Sequence, residues 1–314
     1  MLQLLCTNRP PVKIGCLTTA KNTPGSRASR IAMASSTDDN GFGALRARWP
    51  FPPQRPYPPF HAPLTLAHGR GKDGRELVVD LVRGIREPLI LELGVFLGGS
   101  LARWLEDIPN VRVVGVDPYD WGSNSTDYID AWTLQKPWKR QWRQYVPQLA
   151  EPKAFLNTVY SNLWADQEQT VIVQGFSPSI LVELHKQGLR PDVIYFDNDK
   201  SLHDLWVAHT LWPTGVHFSG DDWGWSQIIN IRPRDAKRGR PYNTSHNAAG
   251  NVCDFARKAN FRVSARGATW VLHSKMQQGA REQQHAQIPD EVDCTQSEKA
   301  IRGRSIQSRR KRWT

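Results

Sequence analysis

The chain has 314 residues, a net charge of +11 and four cysteines; that length suits one large domain with tails, or two small domains. The charge sits at the ends: residues 1–36 hold Arg9, Lys13, Lys21, Arg27 and Arg30, residues 301–314 hold Arg302, Arg304, Arg309, Arg310, Lys311 and Arg312, and neither stretch has an acid. The stretch between is formally neutral, so a basic core groove for nucleic acid is not implied, and no apolar run approaches the roughly 20 residues of a membrane-spanning helix.

Residues 1–36, rich in Ser, Thr, Arg and Lys, fit a transit peptide or a solvated leader ahead of Met33. An intracellular chain is expected, in a chloroplast or mitochondrion if the leader is an address and in the cytoplasm otherwise. Residues 37–85 follow as a proline-dense extended arm at 49–63 and a helix over 73–86. The main domain spans 86–274. Leu89–Leu93 is an apolar strand, Gly94–Ser100 a glycine-rich turn, and Leu101–Leu105 the start of a helix. A second strand, Val111–Val116, ends in Asp117. Residues 118–153 form an insertion carrying Trp121, Trp132, Trp138 and Trp142.

Further strands are expected at Thr170–Gln174, Asp192–Asp197, Val216–Asp221, Phe261–Ser264 and Thr269–His273, with helices at Ala154–Asp166, Pro178–Gln187 and Leu202–Leu211. Alternating strands and helices make an α/β, doubly wound, mostly parallel sheet of seven strands, and the short link at 265–268 closes a C-terminal antiparallel hairpin. Residues 275–314 read as a polar tail with a basic end. Cys6, Cys16, Cys253 and Cys294 lie far apart with no CxxC pair. That spacing points to a reduced compartment and against a disulfide or zinc framework.

The strand, glycine turn, helix, strand and acid order belongs to adenosine-bearing cofactors. Its spacing is Glu92-x-Gly94-x-x-x-Gly98-Gly99-Ser100 rather than GxGxxG, which disfavours NAD and FAD. Glycines let a ligand come close to the backbone, and Asp117, 18 residues after Gly99, can accept from ribose hydroxyls. The plainer alternative is a tight turn that binds nothing. Two acid clusters end neighbouring strands: Asp197-Asn198-Asp199 and Asp221-Asp222-Trp223. Converging carboxylates need a counter-charge or a proton, and a hard cation with oxygen ligands would be Mg²⁺. Helix capping by solvated aspartates is the alternative.

With these residues in view, positions 88–226 resemble the class I S-adenosylmethionine-dependent methyltransferases of the macrocin-type sugar O-methyltransferase kind. Glu92 through Ser100 match the Glu-x-Gly-Val-x-x-Gly-Gly-Ser opening, Gln174-Gly175-Phe176-Ser177 the turn after the third strand, Asp197-Asn198-Asp199 an Asp-Gly-Asp, and Thr214-Gly215 with Asp221-Asp222-Trp223 the later motif. The resemblance implies S-adenosylmethionine held by Glu92, Gly94, Gly98, Gly99, Ser100, Asp117, Gln174, Ser177 and Asp197. It implies Mg²⁺ on Asp197, Asp221 and Asp222, Asp199 as base, and O-methylation of a small-molecule or glycoside acceptor.

Asn198 and Lys200 depart from the family pattern. Lys200 could replace part of the metal's charge, and His203 is a second candidate base. Trp223 and Trp225 are the best candidates for substrate contact, while core packing is the default for Trp206 and Trp212. Two other readings stay open: a cofactor-binding protein without catalysis, and an oxygenase-like metal enzyme using His203 or His209.

Overall fold

In the computed structural model, the residues described are 40–56, 74–119, 153–198, 201–223, 226–228, 245–274, 291–292 and 294. The leader, most of the insertion with its four tryptophans, the tail beyond 294, and the residues Asp199, Lys200 and Trp225 lie outside them.

The elements in chain order are α1 (Phe42–Arg48), α2 (Glu76–Leu81), β1 (Leu89–Leu93), α3 (Gly99–Asp107), β2 (Arg112–Asp117), α4 (Ala154–Asn162), a 3-10 turn (Trp164–Gln169), β3 (Thr170–Gln174), α5 (Ser179–Lys186), β4 (Val193–Phe196), α6 (Leu202–Leu211), β5 (His217–Gly220), β6 (Ser226–Ile228), β7 (Ser245–Asn247), α7 (Ala248–Lys258), β8 (Phe261–Arg266) and β9 (Thr269–Ser274). Seven strands form one sheet in the order β3-β2-β1-β4-β5-β9-β8. The first five are mutually parallel, and β9 runs antiparallel to both β5 and β8. This is the doubly wound sheet with a C-terminal antiparallel hairpin expected from the sequence. β6 and β7 pair separately.

Every residue of β1 is buried, as suits a strand covered on both faces. Leu89, Leu91 and Leu93 point to one layer, where Leu45, Leu181, Leu205 and Phe255 bring α1, α5, α6 and α7 onto the sheet. Ile90 points to the other, where Val78, Trp104 and Val159 bring α2, α3 and α4. By the two-residue period of a strand, Glu92 follows Ile90 onto that second face. Gly115, its neighbour on β2, leaves room for α3: a Cβ there would come within 2.6 Å of Leu101 and 2.8 Å of Val95.

The helix expected over 73–86 is confined to α2, and the one over 154–166 breaks after Asn162 into the 3-10 turn. Helices α1 and α7 and the β6–β7 pair are not anticipated by the sequence reading. Along the proline-dense arm, Phe51 packs edge-on against Tyr160 at 4.9 Å. Arg55 donates to the Ser161 carbonyl at 2.9 Å.

The cysteine reading requires correction. Cys253 of α7 and Cys294 form a disulfide across 41 residues, with Cα atoms 5.4 Å apart. The chain beyond β9 returns along β8: Val292 N–H donates to the Val263 carbonyl at 2.9 Å, and Glu291 bridges Ser264 antiparallel. That return carries Cys294 over α7, a long-range proximity that sequence spacing does not reveal. Among the described residues no helix is long and apolar enough to cross a membrane.

Candidate functional site

The carboxyl ends of β1, β4 and β5 bring a buried charge cluster together. Glu92 is 1% exposed, and neither of its oxygens has a hydrogen bond of good geometry. Burial drives its pKa well above the ordinary value, the Asp197 carboxylate adds to this, and Ser100 opposes it. Asp221 is pushed up to about 7, first by burial and then by Asp197, against the pull of Arg75. Gly94 belongs to this cluster through its backbone: a Cβ there would lie 2.5 Å from the Asp197 carbonyl, and its φ is +92°. The glycine is thus required by the crossing of two chain segments, whatever ligand approaches.

The decisive residue was not among the sequence candidates. Arg75, at the N-terminus of α2, is 1% exposed. Its Nη2 lies 2.5 Å from Asp221 Oδ2 and 3.4 Å from Asp197 Oδ2. Its guanidinium also sits over the Tyr195 ring at 5.8 Å. Gly74 places it there, with φ +83° and so little room that a Cβ would fall 1.7 Å from the Arg266 carbonyl. One signal was available: a helix N-terminus favours acids, so a basic residue there calls for a partner elsewhere.

Arg75 bears on the expected Mg²⁺. Asp197 and Asp221 already bracket a guanidinium, and among the described residues no group of three or more His, Cys, Asp or Glu is arranged to hold a metal. The donor set therefore does not fit a divalent cation. Asp222, the third expected ligand, has a left-handed backbone with φ +63°. Around it, Trp223 N–H donates to the Ala268 carbonyl at 2.8 Å and Trp270 Nε1 to the Asp221 carbonyl at 3.0 Å.

Other expected cofactor residues hold loops. Asp117 Oδ2 accepts from the N–H of Val95 and of Phe96, each at 3.0 Å, and Oδ1 from Tyr119 N–H at 2.9 Å. Its carboxylate thereby fixes the glycine-rich turn to the end of β2. Gly98 starts α3 from a left-handed conformation, Gly99 is the first residue of that helix, and the Asn162 amide donates to the Leu97 carbonyl at 2.9 Å. Gln174 donates to the Pro118 carbonyl at 2.9 Å. Ser177 donates to the buried Asp204 carboxylate at 3.2 Å, while Asn198 donates to Ser177 Oγ at 2.8 Å and to Asp204 at 2.9 Å. Asn198, the departure from the family motif, thus supplies a second donor to Asp204, beside Ser177. Between these anchors Phe176 stands 63% exposed.

His203 is exposed on the first turn of α6. His209 lies among Phe218, Phe255 and Phe261, and among the described residues no group of three or more His, Cys, Asp or Glu is placed to hold the metal of the oxygenase reading. Trp212 Nε1 donates to the Leu189 carbonyl at 2.8 Å, and Trp206 packs edge-on to Phe255 at 4.8 Å. Both are core residues, as their default predicts. Trp223 packs partly buried on the same core.

No family model and no curated protein matches the chain. Among solved structures it is similar to the O-methyltransferase TomG from Streptomyces achromogenes in complex with SAM (16% identity, 63% of this chain and 78% of that one, TM-score 0.37). It is also similar to a putative caffeoyl-CoA O-methyltransferase from Staphylococcus aureus (12% identity, 74% and 90%, TM-score 0.39). A third is the fibrillarin/Nop5p complex (11% identity, 63% and 79%, TM-score 0.34). Scores of this size leave the chemistry to be read from the side chains.

Proposed function

We propose that the chain is an S-adenosylmethionine-dependent O-methyltransferase acting on a hydroxyl of a small molecule or glycoside. One observation carries the reading. Two buried carboxyl groups, Glu92 and Asp221, and the partly exposed Asp197 gather around the Arg75 guanidinium. Burial favours the protonated form of Glu92, and a cationic ligand at the mouth of the glycine turn would draw that proton off and offset the cost of the buried charge. When bound, S-adenosylmethionine supplies a methyl group already made electrophilic by a sulfonium.

The protein's tasks are then positioning and removal of a proton. Glu92 and Ser100 are placed for a cationic group at the end of β1. Asp117 keeps the turn at 95–96 in shape, and exposed Phe176 offers an aromatic face at the end of β3. Asp199, or His203 at the start of α6, takes the acceptor proton as its oxygen attacks the methyl carbon in line. Mg²⁺ does not enter this reading, because Arg75 holds the carboxylates that would bind it.

Calorimetry with S-adenosylmethionine and S-adenosylhomocysteine tests it. Both should bind, and Glu92→Gln should weaken the methyl donor more than the uncharged-sulfur product, since only the former carries the sulfonium charge. Equal weakening, or no binding heat in the unsubstituted protein, would refute the reading. Binding without transfer to any hydroxyl acceptor in a broad panel would leave the cofactor-binding protein without catalysis.

A further inference from the structure

The acids ending β4 and β5 have the sequence pattern of a divalent-cation seat, and an arginine is seated there instead. We propose that Arg75 is the resident cation of the site, held between Asp197 and Asp221 in place of Mg²⁺, and that it makes the site independent of divalent metal. Nη2 is 2.5 Å from Asp221 Oδ2 and 3.4 Å from Asp197 Oδ2, so it stands where an ion shared by those carboxylates would have to stand. Arginine stays charged at every pH a protein meets. The counter-charge is therefore permanent, and it depends on no free ion concentration.

Beyond the two carboxylates, one contact touches the side chain and two fix the backbone on either side of it against Arg266. The Tyr195 ring of β4 lies under the guanidinium. Gly74 sets the backbone against the carbonyl of Arg266 in β8. Glu76, the next residue, pairs with Arg266 at 3.5 Å. Arg75 thus acts as a positioning residue: it fixes Asp197 and Asp221 and leaves Glu92, on the same face, for a cationic ligand.

Manganese titration followed by electron paramagnetic resonance, on the full chain, tests the proposal without any substrate. The unsubstituted protein should leave the spectrum of the free ion unchanged. Arg75→Ala should take up one Mn²⁺, Asp221→Asn in that background should abolish the uptake, and Arg75→Lys should again exclude the ion. Stoichiometric Mn²⁺ binding by the unsubstituted protein, lost in Asp221→Asn, would overturn the proposal even if Arg75→Ala fails to fold. A folded Arg75→Ala that still ignores Mn²⁺ would overturn it as well. The prediction for catalysis rests on the methyltransferase reading: transfer should persist undiminished in excess chelator. Absence of all methyl transfer would remove that reading and leave the manganese result standing.

Discussion

Reducing the Cys253–Cys294 bond should lower the stability of the whole domain. The bond spans 41 residues, and the loop-closure entropy it removes from the unfolded chain corresponds to about 4 kcal/mol at room temperature. For a domain of this size that converts to a fall of roughly 8–16 °C in Tm. Among the described residues the returning segment is tied to β8 by a backbone hydrogen bond from Val292, a bridge at Glu291 and a Glu291–Arg262 ion pair at 3.7 Å. Little else among the described residues would hold Cys294 over α7 once the bond is gone. Circular dichroism melts with and without reductant, together with the Cys253→Ser/Cys294→Ser double variant, measure the effect. Thiol alkylation and mass spectrometry establish the starting state. An unchanged Tm, with the disulfide confirmed before reduction, would refute the entropic reasoning. Free thiols at both positions in protein purified without reductant would refute the pairing itself.

Asp221 and His273 should bend the pH–stability curve in opposite senses. The folded state holds the Asp221 proton more tightly than the unfolded chain does, so this contribution is complete below 3.8 and is lost as pH rises toward about 7. Burial, with His217 and Arg262 nearby, lowers His273 from 6.5 to about 4, so its contribution is lost as pH falls through that window. The two windows overlap, so between about pH 4 and 7 the urea midpoint should rise more steeply with pH in Asp221→Asn and less steeply in His273→Phe than in the unsubstituted protein. Arg75→Ala should cost about 3–5 kcal/mol by leaving buried Asp221 without its partner, and a urea midpoint near that of the unsubstituted protein would contradict the buried pair. Asn198→Gly, which matches the family motif more closely, should destabilise by about 1–3 kcal/mol, because buried Asp204 loses its amide donor. A neutral result in chemical denaturation would show that Asp204 is satisfied elsewhere. Gly94→Ala should abolish ligand binding and stability together, given the 2.5 Å approach to the Asp197 carbonyl; full stability with lost binding would reassign Gly94 to the ligand alone.

The sheet was legible because its strands are short apolar runs bounded by turn residues, and β1 and β4 are buried on both faces. Helix α7 was not. Gly250 and Asn251 interrupt its propensity, and its identity comes from packing Val252, Phe255 and Ala256 on the sheet. Within the site, Glu92, Ser100, Asp197 and Asp221 were found by motif and do converge. Asp117 and Ser177 were found by motif too; Asp117 accepts from the loop amides of Val95, Phe96 and Tyr119, and Ser177 donates to Asp204 of α6. The missing counter-charge was sought in a metal because two acid clusters end neighbouring strands, with Lys200 as the local residue that could replace part of its charge. Arg75 stands 122 residues before Asp197, and no local pattern links them.

The tight seating of Gly74 on Arg266 also ties two remote parts of the gene product together. The hairpin's outer turn works as a gauge for the backbone at Gly74: a bulkier residue at 74, or one inserted between β8 and β9, pushes the guanidinium out of register with acids that neither change touches. Lesions at the sheet's far edge should therefore mimic lesions at the heart of the site.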